Sequence, residues 1–354
     1  MSRWGLIGLG AAALGILAAA ERPAKSGRRA VPHARGQGGL RPRQALLPAR
    51  GSRLSSTGAD ALAVARSAVP RATKAVTPGQ QPPFVLAARR LNRAAGLLAS
   101  SVLADSAVEH YRGSFQNPAM FAPLVTSALA LGVSAHGVSD RRPGAHAVRD
   151  TVYALAGMTG LVGTGFHIYN VGKRPGGFSW LNLFYSAPLG APFALVLSGL
   201  LGFTAERVRD NRANVTPTML GLPAGRAMAA VSSMGMLGTT GEAALLHFRG
   251  AFHDPAMFLP VTVPPMAAVL LADTALGRRN TDRRFTRWWM RLTAALGFAG
   301  VGFHIFGVAR NMGGWRNWSQ NVLNGPPIPA PPSFTGLALA GLAALGLLQD
   351  HPDA

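Results

Sequence analysis

HYRGSFQNPAMFAP, His110 to Pro123, returns as HFRGAFHDPAMFLP, His247 to Pro260, with nine of fourteen positions identical. A second echo follows each copy. GLVGTGFHIYNV, Gly160 to Val171, reappears as GFAGVGFHIFGV, Gly297 to Val308, with seven positions identical. Both echoes have the same offset of 137 residues, His110 to His247 and His167 to His304. Equal spacing leaves no net insertion between the motifs, so each copy reads as one structural unit that carries its histidines with it.

Outward from these motifs the chain is apolar. Of its 354 residues 48% are hydrophobic and only 14% charged, with 43 glycines, a balance that describes lipid-facing helices better than a soluble core. Runs long enough to span a bilayer fall near 94–112, 118–139, 148–171 and 187–205, then 227–248, 255–276, 288–308 and 333–348. The fold class expected is therefore an all-α integral membrane protein: two tandem parallel four-helix repeats, about eight transmembrane helices, over residues 89–210 and 211–354. The absence of cysteine removes disulfides, thiolate metal sites, iron–sulfur clusters and covalently attached haem.

The net charge of +21 invites a nucleic-acid reading until it is located. Fifteen Lys or Arg stand against Glu21 and Asp60 between Glu21 and Arg93. Residues 21–88 are rich in Pro, Gly, Arg and Ala and lack periodicity, so disorder is expected there. Phe84 is the single aromatic between Trp4 and Tyr111, which disfavours nucleic acid and favours anionic membrane lipids as the partner. Residues 1–20 hold a short apolar run, Gly5 to Ala20, with the outline of a signal peptide or a short N-terminal hydrophobic anchor.

Loop charge gives an orientation. One set of loops carries Arg141, Arg142, Arg149, Arg207, Arg209, Arg212, Arg226, Arg278, Arg279, Arg283, Arg284, Arg287 and Arg291. The alternate set carries Arg112, Lys173, Arg174, Arg249, Arg310 and Arg316. The first set is thus assigned to the cytoplasm, together with the basic tail, in a bacterial inner membrane. An uncleaved anchor fits this better than a cleaved signal, and every repeated motif then falls at the outer face.

The triplets Asn117-Pro118-Ala119 and Asp254-Pro255-Ala256 resemble the paired NPA motifs of aquaporins over three residues per copy, and that resemblance implies a water pore. Aquaporin halves are inverted with three spans each, whereas these copies run parallel with four. A helix start accounts for the same residues: Asn117 or Asp254 as N-cap and Pro118 or Pro255 in the first turn.

His110 and His247 close the first span of each copy, and His167 and His304 lie near the end of the third. First and third spans run parallel, so each pair comes to one depth. Imidazoles facing each other from two helices are what axial ligation of b-type haem requires. Gly160, Gly163 and Gly165, with Gly297, Gly300 and Gly302, leave room for a flat ring or serve close helix packing. The alternatives are one metal ion held by all four histidines, or histidines that only bond loop carbonyls.

Asp105 and Glu242 occupy one repeat position inside the first spans, with Arg112 and Arg249 two turns on and Glu109 between in the first copy; acid–arginine pairing is expected. The aromatic outer loops align Asn182 with Asn321 and Pro188 with Pro327 and offer a lid or docking surface. The overall plan resembles that of multihelical membrane cytochromes b, which implies a redox subunit passing electrons between an outer-face (periplasmic) dehydrogenase and quinone. The alternative is a cofactor-free transporter or membrane anchor binding a small anion or a partner at its outer face.

Overall fold

The computed structural model describes residues 82–350 apart from 187, 212–214 and 278–282. The leader 1–20 and all but the last residues of the 21–88 segment lie outside the described residues, as do Arg212, Arg278 and Arg279. About 80% of the described chain is helical. Strand pairing among the described residues is one small hairpin, Thr218–Met219 against Leu222–Pro223.

The helices are α1 (Pro83–Arg112), α2 (Ala122–Ser139), α3 (Ala147–Gly172), a short α4 (Trp180–Tyr185), α5 (Gly190–Arg209), α6 (Ala224–Arg249), α7 (Leu259–Leu276), α8 (Arg284–Arg310), a short α9 (Trp318–Asn324) and α10 (Pro332–Asp350). Each of the eight apolar runs lies largely within one long helix. Among the described residues five segments are long and apolar enough to cross a membrane: Pro118–Ser139, Gly190–Arg209, Pro255–Leu276, Arg284–Arg310 and Pro332–Asp350. One boundary moves. The expected disorder up to residue 88 gives way to helix at Pro83, where proline suits the first turn and Val85, Ala87 and Ala88 are already buried.

α1, α5, α6 and α10 form the centre. α1 packs on α2, α5 and α10, and α6 on α7, α10 and α5. Leu91, Ala95 and Leu98 of α1 meet Leu201 of α5, Met228 and Met236 of α6, and Leu337 and Ala340 of α10 in one cluster. Neighbouring contacts give the directions. Leu98 lies against Gly336 and Arg90 against Gly346, so α1 and α10 are antiparallel; Gly225 lies against Leu348 and Gly235 against Leu337, so α6 and α10 are too. Hence α1 and α6 run the same way.

The flanking helices are the exposed ones. Only 17% of the apolar window of the α2 segment and 17% of that in α8 is buried, against 72% in α10. α3 presents Leu155, Met158, Leu161, Val162 and Phe166 outward. An uninterrupted apolar stripe of this kind belongs against lipid rather than water.

Candidate functional site

The histidines gather at one end of the bundle, which the connection after α1 shows best. The chain leaves α1 through Gly113 and enters the left-handed region at Ser114 and Phe115, with φ of 55° and 46°. The Phe115 amide returns to His110 O at 3.0 Å. Asn117 then caps a 3-10 turn, Pro118–Phe121, its Oδ1 accepting the Ala119 N–H at 2.9 Å. This brings Met120 O to 2.6 Å from His110 Nδ1.

After α6 the same steps recur. Ala251 and Phe252 have φ of 55° and 46°, Asp254 Oδ1 accepts the Ala256 N–H at 2.8 Å, and His247 Nδ1 lies 2.8 Å from Met257 O. Phe115 stacks on Phe121 and edges onto His110; Phe252 does likewise with Phe258 and His247. Holding a bulky Phe at positive φ is strained, and both copies keep that strain beside the histidine. The cap reading of the two triplets is therefore seen in both copies.

His167 on α3 places Nδ1 2.5 Å from Pro188 O, and His304 on α8 places its own 2.7 Å from Pro327 O. The prolines aligned in the sequence are thus the partners of the histidines. A carbonyl oxygen only accepts, so each of the four Nδ1 atoms carries the hydrogen. The neutral ring then keeps its lone pair on Nε2, the tautomer a metal or a donor group needs. His110 lies within electrostatic reach of His167, and His247 of His304. The electrostatic coupling thus runs within each copy. Among the described residues no group of three or more His, Cys, Asp or Glu is placed to hold a metal ion, so the four histidines do not converge on one.

Of the glycines expected to make room beside the histidines, most are used in packing. A Cβ at Gly160 would fall 2.6 Å from Val196 N, and one at Gly297 2.2 Å from Thr335 Oγ1. Gly163 and Gly300 face Pro192 and Pro331. Gly165 and Gly302, two residues before each histidine, face open space.

The acid–arginine pairing differs from expectation. Arg112 holds Glu109, with Nη1 2.8 and 3.0 Å from its two oxygens, rather than Asp105. Arg249 lies over the Tyr185 ring at 5.0 Å rather than on Glu242. Glu242 instead accepts the Gly190 N–H at 3.1 Å, capping the start of α5. Seven residues is about two turns, within which a nearer acid or an aromatic ring takes the guanidinium first. Asp105 makes no hydrogen bond among the described residues and lies within electrostatic reach of Glu109, Glu242 and Arg112.

Asn182 and Asn321 are buried pins of the loops at the histidine end. Asn182 Nδ2 donates to Pro175 O and Gly177 O, and Asn321 Nδ2 to Met312 O and Gly314 O. The loops cross over: α4 packs on α6, with Phe184 edge-on to Phe248, while α9 packs on α1.

A second constellation at the opposite end was missed. Arg149, Glu206 and Arg209 have fully buried side chains; Arg149 contacts Glu206 and Asp140 at 2.9 Å each. Arg209 donates to the carbonyls of Gly137, Asp140 and Arg142. Burial by itself raises the Asp140 carboxyl, but the Arg142 amide and the Arg149 guanidinium outweigh it and hold it at about 2. One turn along α3, Tyr153 donates to Asn92 Oδ1 at 2.5 Å and lies 3.0 Å from Ser134 Oγ. These arginines read in sequence as ordinary loop charge. Comparing the copies position by position would have marked them, since the second copy has Thr286 and Met290 where the first has Arg149 and Tyr153.

No family model, curated protein or solved structure matches this chain.

Proposed function

We propose that the chain is a polytopic bacterial inner-membrane protein in which His110 with His167, and His247 with His304, each ligate one b-type haem. All eight long helices span, as two parallel four-helix repeats over 89–210 and 211–354. The histidine end faces outward, and the basic tail lies in the cytoplasm behind an anchor at 1–20. The observation that carries this is the shared geometry of the four imidazoles: each Nδ1–H is fixed on a backbone carbonyl, so that Nε2 is the nitrogen left for a ligand, and His110 lies within electrostatic reach of His167 and His247 of His304. Iron held between two imidazoles would supply one-electron redox chemistry. The chain's own part is to fix ring orientation through Met120, Pro188, Met257 and Pro327, and to limit water access with the crossed outer loops. Electrons would pass between a dehydrogenase at the outer face and quinone in the bilayer.

The second reading is a cofactor-free transporter or anchor in which those carbonyl bonds simply hold the loops in place. A visible spectrum of protein purified from haem-supplied cells separates the two. A reducible Soret and α band that His167→Ala and His304→Ala each diminish supports haem, and a colourless protein sinks it. A reporter fused between residues 30 and 80 and found outside the cell would overturn the orientation.

A further inference from the structure

The two copies agree at the histidine end and diverge at the other. Asp140, Arg149, Glu206 and Arg209 of the first copy are answered by Gly277, Thr286, Leu345 and Leu348, the last two after a two-residue insertion; Asn92 is answered by Ala229. Yet α6, α7, α8 and α10 pack on one another in the same pattern as α1, α2, α3 and α5. The ionic groups are therefore not needed to build the unit. Buried ion pairs must offset a large desolvation cost, and apolar replacements of similar size are often neutral or stabilising. Their retention in one copy calls for a role beyond packing.

What they hold is the loop between α2 and α3. Arg209 binds the carbonyls of Asp140 and Arg142, its own carbonyl accepts the Gly144 N–H, and Glu206 accepts the His146 N–H at 3.0 Å. The loop so fixed borders an open cavity of about 360 Å³ lined by His136, Ser139, Asp140, Arg141 and Arg142. Its one carboxylate, Asp140, is already engaged by Arg149 at 2.9 Å. Arg141 makes no hydrogen bond or ion pair among the described residues, and the Arg142 side chain, 87% exposed, has only a 3.5 Å ion contact with Asp140. His136 meets His146 edge-on at 5.2 Å. The second copy repeats the arginine pair as Arg278 and Arg279 but has Asp273 and Leu276 where the first has His136 and Ser139, so an acid stands there in place of the imidazole.

We propose that this cavity binds a phosphate group through Arg141, Arg142 and His136, with the Asp140–Arg149–Glu206–Arg209 network as the positioning element. Two adjacent guanidinium forks beside an imidazole match the oxygens of a phosphate, and the space suits a headgroup-sized anion. A phospholipid headgroup and a soluble phosphate present the same chemistry. Nothing here depends on the histidine pairs at the other end.

The test is the melting temperature of the full chain in uncharged detergent, titrated separately with phosphatidylglycerol and with inorganic phosphate, phosphatidylcholine serving as the zwitterionic control. A rise of several degrees with phosphatidylglycerol, lost in R141Q/R142Q but kept in K173Q/R174Q, supports a lipid site. The same Arg-dependent rise with inorganic phosphate supports a soluble ligand at the same groups. Both substituted arginines lie at the surface, so the variant keeps its fold. An equal rise in R141Q/R142Q and wild type, or none with either probe, overturns the proposal.

Discussion

The Glu242 carboxylate sits directly on the backbone of Gly190: Oε1 accepts its N–H at 3.1 Å, and a Cβ added to Gly190 would fall 1.5 Å from Oε2. An acid of one copy thus closes the helix start of the other. Gly190→Ala must push the carboxylate away and leave a first-turn amide unpaired, a loss of about 1–3 kcal/mol. Glu242→Gln keeps an oxygen for that amide and should cost less. Thermal unfolding in detergent compares the two; a Gly190→Ala protein as stable as wild type would show that the contact contributes nothing.

Histidine substitutions should act by pairs. His110→Ala or His167→Ala is expected to remove about half of any haem absorbance, and the double variant no more than that. His247 and His304 should account for the remainder. Met120→Leu should leave the spectrum intact, because Met120 serves through its backbone carbonyl while its methyl packs near Gly113. Reduced-minus-oxidised difference spectra read each outcome.

The buried ion network should be far more sensitive to half-removal than to replacement. Arg149→Ala strands Glu206 and Asp140 and is expected to cost about 3–5 kcal/mol. The combination Asp140→Gly, Arg149→Thr, Glu206→Leu and Arg209→Leu installs the second copy's residues and should cost less than that single change. Denaturation of both variants side by side decides it, and additive losses would contradict the account.

Asp140 gives a pH signature. Its folded carboxyl, held at about 2, lies below the unfolded value of about 3.9. A depressed pKa means stability present above the unfolded value and lost as pH falls through the folded one. Wild type should therefore lose stability between about pH 4 and 2. Asp140→Asn should be less stable near neutral pH and converge with wild type toward the acid limit. Parallel melting curves against pH would expose a mistaken assignment.

Much of the molecule was legible because periodicity and repetition are local. Apolar runs marked the eight long helices, the Asn117-Pro118 and Asp254-Pro255 dipeptides marked helix starts, and alignment of the copies paired Pro188 with Pro327. The partner of a charged side chain was not legible, since spacing along one helix fixes only which groups share a face. Arg112 chose Glu109, and Arg249 chose an aromatic ring delivered by a distant loop.

By itself the sequence located the eight long helices of the described residues, though not the short α4 and α9, together with the repeated histidines and the caps that begin the second helix of each copy, because these follow from hydrophobic pattern and first-turn chemistry. Only tertiary structure decided that the four histidines do not converge on one point, that Glu242 closes α5, and that Arg149 and Arg209 are interior rather than surface charges. Those facts depend on which helices touch, and packing of this kind is set by contacts between residues far apart in the chain.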